Sequence, residues 1–76
     1  MNVEVRIFGG LHRFTGGRTE CNVAISQETR AWDMVRALGI PEHEVWFVAV
    51  NGVRAPQEQA LSAGDKVDIF APVGGG

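Results

Sequence analysis

Thr29-Arg30-Ala31-Trp32-Asp33-Met34-Val35-Arg36-Ala37-Leu38-Gly39-Ile40-Pro41 is the stretch on which the fold turns, because the hydrophobic period changes there. Ala31, Met34, Val35 and Leu38 fall at i, i+3, i+4 and i+7, the stripe of an amphipathic helix. Thr29 is placed to cap the first turn, Asp33 lies near the positive end of the helix dipole, and Gly39 ahead of Pro41 is the expected stop. Trp32 sits beside the stripe and widens its apolar face, so the helix is expected to lie across a sheet.

On the N-terminal side the period is two. Val3-Glu4-Val5-Arg6-Ile7 alternates apolar with charged residues and ends at Gly9-Gly10, which predicts a half-buried strand. Residues 11–18 carry Gly16-Gly17 and read as a loop, and Cys21, Val23 and Ile25 then alternate with polar or small residues as a second strand antiparallel to the first. On the C-terminal side Val45-Trp46-Phe47-Val48-Ala49-Val50 is apolar on both phases, which suits a central strand covered or flanked on both sides. Asn51-Gly52 signals a type I′ hairpin, and Val53 begins a short return strand. Ser62-Ala63-Gly64-Asp65 turns into a last strand with Val67, Ile69 and Ala71 facing inward. Two strands, a helix and two or three further strands make an α+β chain with one main helix on one face of a mixed four- to five-stranded sheet. The β-grasp is the natural candidate, and in that topology the first and last strands are parallel neighbours at the centre.

The composition agrees with one small domain. The chain has 76 residues and a mass of 8.2 kDa, is 45% hydrophobic and 21% charged, and has no internal repeat. A chain this short buries only about 60% of its unfolded surface, so a second core is excluded. Cys21 is the single cysteine and has no partner for an internal bridge, and the paired Cys/His spacing of a zinc site is absent. Burial must supply a stability of about 4–11 kcal/mol unaided. A net charge of -2 argues against nucleic acid or an anionic membrane as partner. No apolar run approaches the roughly 20 residues that span a bilayer, and the start lacks the pattern of a signal peptide, so a reducing cytoplasm is expected.

Two features depart from an ordinary core. Phe8 follows Glu4 and Arg6 on the polar phase of the first strand, and Phe70 follows Asp68 on the polar phase of the last. If these strands are parallel neighbours, the two rings lie side by side as an exposed apolar patch, which suggests a docking surface. The alternative is that a loop bearing Leu11 or Phe14 folds over them. The second feature is a glycine excess: ten, where average usage predicts about five. Seven fall at turns, loops and a helix end, and the remaining three are Gly74, Gly75 and Gly76. After Pro72 and Val73 these side-chain-free residues carry the α-carboxylate away from the body, and a glycine strand can thread a channel too narrow for other residues. The expected division is a β-grasp domain over residues 1–73 and a flexible tail over 74–76.

Residues 61–76, Leu-Ser-Ala-Gly-Asp-Lys-Val-Asp-Ile-Phe-Ala-Pro-Val-Gly-Gly-Gly, resemble the close of the MoaD/ThiS sulfur-carrier family. Val48-Ala49-Val50-Asn51-Gly52 and Leu38-Gly39-Ile40-Pro41 resemble it as well. The resemblance implies a ubiquitin-like protein that is a co-substrate rather than an enzyme. Its terminal carboxylate, at Gly76, is adenylated by an activating enzyme using ATP and magnesium and converted to a thiocarboxylate, with Gly75 and Gly74 threading the narrow approach. No cofactor bound by the chain itself is implied. The family's apolar docking positions fall at Phe8 and Phe70, with Val73 beside the tail, and a third falls at Arg54, a charged departure. The implied partners are an adenylating enzyme and a sulfur-accepting synthase, with the free carrier a monomer. The Phe-x-Pro-Val ending and the chain length favour molybdopterin synthesis. Thiamine-thiazole synthesis is the runner-up, and a protein modifier joined to lysines through Gly76 is the rival from another class.

Other residues read more plainly. Cys21 reads as structural, since no basic residue is fixed beside it. His12 and His43 stand in or near loops and read as solvated. The six arginines are scattered, with docking to an acidic partner as their possible use. Trp32 and Trp46 read as core.

Overall fold

The computed structural model describes residues 1–72. Its strands are β1 (Asn2–Ile7), β2 (Glu20–Ala24), β3 (Phe47–Val50), β4 (Val53–Ala55) and β5 (Lys66–Phe70), with one α-helix, α1 (Asp33–Ala37), between β2 and β3. They form a single five-stranded sheet in the order β2-β1-β5-β3-β4. β1 and β5 run parallel at the centre, and the other pairs are antiparallel. This is the expected β-grasp.

Alternation and register together decide the core. The pairs Val3↔Val23, Val5↔Val67, Ile7↔Ile69, Val48↔Ile69 and Val50↔Val67 put every inward residue of the central strands on one face. Ala31, Trp32, Met34 and Val35 close over that face, and Val5, Ala31, Val35, Val48, Val67 and Ile69 are fully buried. Burial of each such aliphatic side chain contributes roughly 1.5–3 kcal/mol against the entropy of ordering the chain.

The helix is shorter than its apolar stripe. Arg30 forms an isolated antiparallel bridge to Ala60, and the Ala31 and Trp32 N–H groups donate to the carbonyls of Gln59 and Gln57 at 2.9 and 3.2 Å. This tie holds the first stripe residue outside α1 while still burying it. Thr29 does not cap the helix, because its hydroxyl accepts the N–H of Ser26 at 3.0 Å; the Asp33 carboxylate instead accepts the N–H of Arg30 at 2.7 Å. The C-terminal stop is as expected. Gly39 and Ile40 donate to the carbonyls of Arg36 and Val35, both at 3.1 Å, the pattern of a Schellman motif closed by the buried Ile40.

The hairpin between β3 and β4 is also as expected. Val50 pairs with Val53, and Asn51 and Gly52 take φ values of 52° and 83°, as a type I′ turn requires. The Asn51 side chain also binds Asp65 and the Lys66 N–H, tying the turn to the start of β5.

Trp46 corrects the sequence reading. It is 50% exposed, whereas Trp32 is buried. A 3-10 turn over Glu42–Glu44 delivers Val45 into the core, so Trp46 falls outside, one residue before β3 begins. β3 is flanked on both sides, by β5 and β4, which is one of the two arrangements its doubly apolar run suits; Phe47, half-buried, and Ala49, buried, lie on the face opposite α1. Among the described residues no helix is long and apolar enough to cross a membrane.

Candidate functional site: the open face beside the C-terminal exit

The face of the sheet turned away from α1 carries the residues the strand pattern left out of the core. Phe8 extends β1 beyond its last paired residue, and its N–H donates to the Ile69 carbonyl at 2.9 Å, which keeps it alongside Phe70. The Phe8 and Phe70 rings are stacked, with centroids 4.9 Å apart and planes 8° from parallel. Phe47, opposite Phe70 in register, continues the stack at 4.8 Å. Trp46 meets Phe47 edge-on at 5.0 Å. Three strands therefore contribute one aromatic ladder, whose pairs are each worth about 0.5–1.5 kcal/mol beyond area burial.

The ladder is not covered by a loop. Leu11 points into the core and is fully buried, Phe14 packs partly against the core under the Arg13 guanidinium, and Phe8 remains 38% exposed. Arg54, on β4, places its guanidinium 4.8 Å from the Phe47 centroid, so the charged departure at this position joins the same surface. Sequence reasoning did not include Phe47 and Trp46 in this surface. The signal was present in the second apolar phase of residues 45–50, which marks an apolar open face as readily as a doubly covered strand.

Beneath the ladder lies a charged row. Arg6 donates from Nε and Nη2 to the two carboxylate oxygens of Asp68 at 2.7 and 2.9 Å, a bidentate pair across β1 and β5. Asp68 is buried and Arg6 half-exposed, and the hydrogen bond to Asp68 pushes the Arg6 guanidinium still further above its ordinary range. Arg6 also lies 5.7 Å from the Phe8 centroid, which supports the end of the ladder.

The chain leaves the sheet at this end. The Trp46 N–H donates to the Phe70 carbonyl at 2.8 Å, and Ala71 then passes so close to Gly9 that a Cβ built on Gly9 would stand 2.8 Å from the Ala71 Cβ. Val73, Gly74, Gly75 and Gly76, with the boundary expected at 73/74, lie outside the described residues.

The remaining candidates stand apart from this site. Cys21 is half-buried on β2, where burial pushes its thiol up and Arg18 only partly offsets it, so it lacks the activated thiolate of a nucleophile. His43 is exposed near Glu44, and His12 lies in a 3-10 turn over Leu11–Phe14. Among the described residues no group of three His, Cys, Asp or Glu is placed to hold a metal ion.

The model of the ThiS family matches residues 5–76. This chain belongs to the ThiS family. No curated protein sequence matches it. Solved structures share the whole fold at low identity: Haloferax volcanii small archaeal modifier protein 1 at 23% identity and TM-score 0.76, over 95% of this chain and 98% of that one. A putative molybdopterin converting factor subunit 1 from Pyrococcus furiosus is similar at 22% and 0.77, over 96% and 99%. A protein–protein complex of molybdopterin-converting factor subunits 1 and 2 from Helicobacter pylori 26695 contains a chain similar at 22% and 0.68, over 100% of both. At these identities the structural likeness establishes the ubiquitin-like β-grasp. Membership of the ThiS family places the chain among small carrier proteins.

Proposed function

We propose that this ThiS-family chain carries sulfur on its own C-terminus. The observation that carries the reading is that the family match runs through residue 76 and so takes in the terminal glycines. A carboxylate is a poor acyl donor. An activating enzyme using ATP and magnesium makes the Gly76 carboxylate attack the α-phosphorus of ATP, giving an acyl adenylate and releasing pyrophosphate. Sulfide then attacks the carbonyl carbon, the bond to the AMP oxygen breaks, AMP leaves, and a thiocarboxylate remains. When its sulfur attacks an electrophilic carbon of the acceptor and displaces an oxygen leaving group, a thioester forms; water then cleaves its acyl–sulfur bond, leaving the sulfur on the acceptor and returning the carboxylate.

The chain's own part in this is docking and presentation. The ladder of Phe8, Phe70 and Phe47 gives partners an apolar hold next to the exit at Ala71, while Val73, Gly74 and Gly75 span the distance to the active site. The first recipient is a molybdopterin synthase large subunit, a reading supported by the subunit complex among the solved structures. Thiazole synthase is the second, supported by the family whose model matches. Modification of target lysines is the rival, supported by the archaeal modifier among the neighbours.

Pyrophosphate exchange by the activating enzyme of the same organism tests the reading. The full chain is expected to support exchange, and the chain lacking Gly76 is expected to fold equally well and support none. Unchanged exchange after truncation overturns the assignment of the carboxylate. Co-purification with one synthase separates the two pathways, and a diglycine remnant on target lysines establishes the modifier reading instead.

A further inference from the structure

Arg54 stands at the end of a row across the open face in which Arg6 is opposite Asp68, Asp68 opposite Ala49, and Ala49 opposite Arg54. Asp68 gives both carboxylate oxygens to Arg6, and Ala49 has no polar side chain to bridge the gap. Arg13 pairs with Glu44, and Arg36 with Asp33 and Glu42, whereas Arg54, like Arg18 and Arg30, has no carboxylate partner among the described residues; of these three it alone lies on β4 beside the ladder. Its guanidinium lies over the Phe47 ring instead, and contact with a ring does not neutralise the charge. On the other side Arg54 lines a groove with Trp32, Trp46 and Pro56. An exposed cation without a carboxylate partner thus sits between the Phe47 ring and a groove whose walls also include Ala55 and Gln57.

A protein that closes over this face strips water from Arg54, and a desolvated cation without a counter-charge is costly. We propose that Arg54 is a specificity-determining residue, and that the activating enzyme meets it with a carboxylate set among apolar side chains that cover Phe70, Phe47 and Trp46. The inference rests on the carrier reading above. The Trp46 N–H donates to the carbonyl of Phe70, the residue before Ala71, so the enzyme that takes the terminal carboxylate also covers the Arg54 end of the ladder. The planar guanidinium fork matches a carboxylate in bidentate geometry, and a lysine keeps the charge but loses that match.

The test is the KM of the same organism's activating enzyme for the wild-type chain and for Arg54→Lys, Arg54→Leu and Arg54→Glu, read by pyrophosphate exchange after urea denaturation has shown each variant to be folded. Arg54→Leu is expected to raise KM by roughly 30-fold or more, with kcat little changed, as when one member of a desolvated ion pair is truncated. Arg54→Lys retains part of the affinity, and Arg54→Glu loses more than Arg54→Leu. An Arg54→Leu chain that binds as well as the wild type, or better than Arg54→Lys, overturns the proposal and makes this position a merely apolar contact. No exchange with the wild-type chain overturns the carrier reading itself, and this assignment with it.

Discussion

Replacing Gly9 with alanine probes how the sheet holds the root of the C-terminal segment. Gly9 takes a φ of +70°, where an L side chain costs about 1–2 kcal/mol. Its Cβ would also stand 2.8 Å from the Ala71 Cβ, well inside the roughly 3.5–4.0 Å of ordinary carbon contact. Overpacking of this kind adds about 1–3 kcal/mol, so Gly9→Ala is expected to cost about 2–5 kcal/mol, a large share of the total. Gly17 is the control, with a φ of +89° and nothing within 4 Å of an added Cβ; Gly17→Ala is expected to cost only the backbone strain, about 1–2 kcal/mol. Equilibrium urea denaturation reads both. The cycle of Gly9→Ala, Ala71→Gly and the double variant isolates the contact, because removing the Ala71 Cβ relieves the overpacking and leaves the strain. Equal losses for Gly9→Ala and Gly17→Ala, or a double variant that recovers nothing, would refute the close approach.

Three further outcomes are expected. Acrylamide should quench a red-shifted emission that disappears in Trp46→Phe, while stability changes by no more than about 0.5 kcal/mol; full protection of both tryptophans in the wild type contradicts the exposed position of Trp46. Arg6→Met should lower the urea midpoint more than Arg6→Met combined with Asp68→Leu, because the single change leaves buried Asp68 without its counter-charge; the reverse order contradicts the pairing. Cys21, whose thiol burial holds above its ordinary value, keeps its proton in the fold after an unfolded thiol has lost it. Its contribution is therefore complete below the ordinary thiol value of about 8.5 and declines as pH rises through that value towards the folded one. Urea midpoints across this alkaline range should slope less for Cys21→Ala than for the wild type, and identical slopes refute the shift.

The fold was legible because the two central strands, β1 and β5, declare their inward phase. Val3, Val5 and Ile7, and again Val67 and Ile69, alternate with charged residues, and a one-residue slip would bury Arg6 and Asp68 without their present pairing. Asn51-Gly52 fixed the hairpin through local backbone chemistry alone. The helix was less legible at its start, because the Arg30–Ala60 bridge that displaces it joins residues far apart in sequence. Phe8 and Phe70 were recognisable as phase violations within their own strands. Trp46 and Phe47 were not, since an apolar run on both phases does not state which face has a covering layer. Whether a neighbouring element covers a residue is a property of packing, and α1 covers only one face of this sheet. Arg54 was visible as a departure from an apolar position, but its place over Phe47 depends on cross-strand register.

Sulfur carriage is decided by the atom that Gly76 bears. Intact mass of the chain after incubation with its activating enzyme, ATP, magnesium and a sulfide source measures it directly. A sulfur carrier gains the difference between sulfur and oxygen, located by fragmentation at Gly76 and absent when ATP is withheld. An unchanged mass, or sulfur located on Cys21 instead, would contradict sulfur carriage at Gly76.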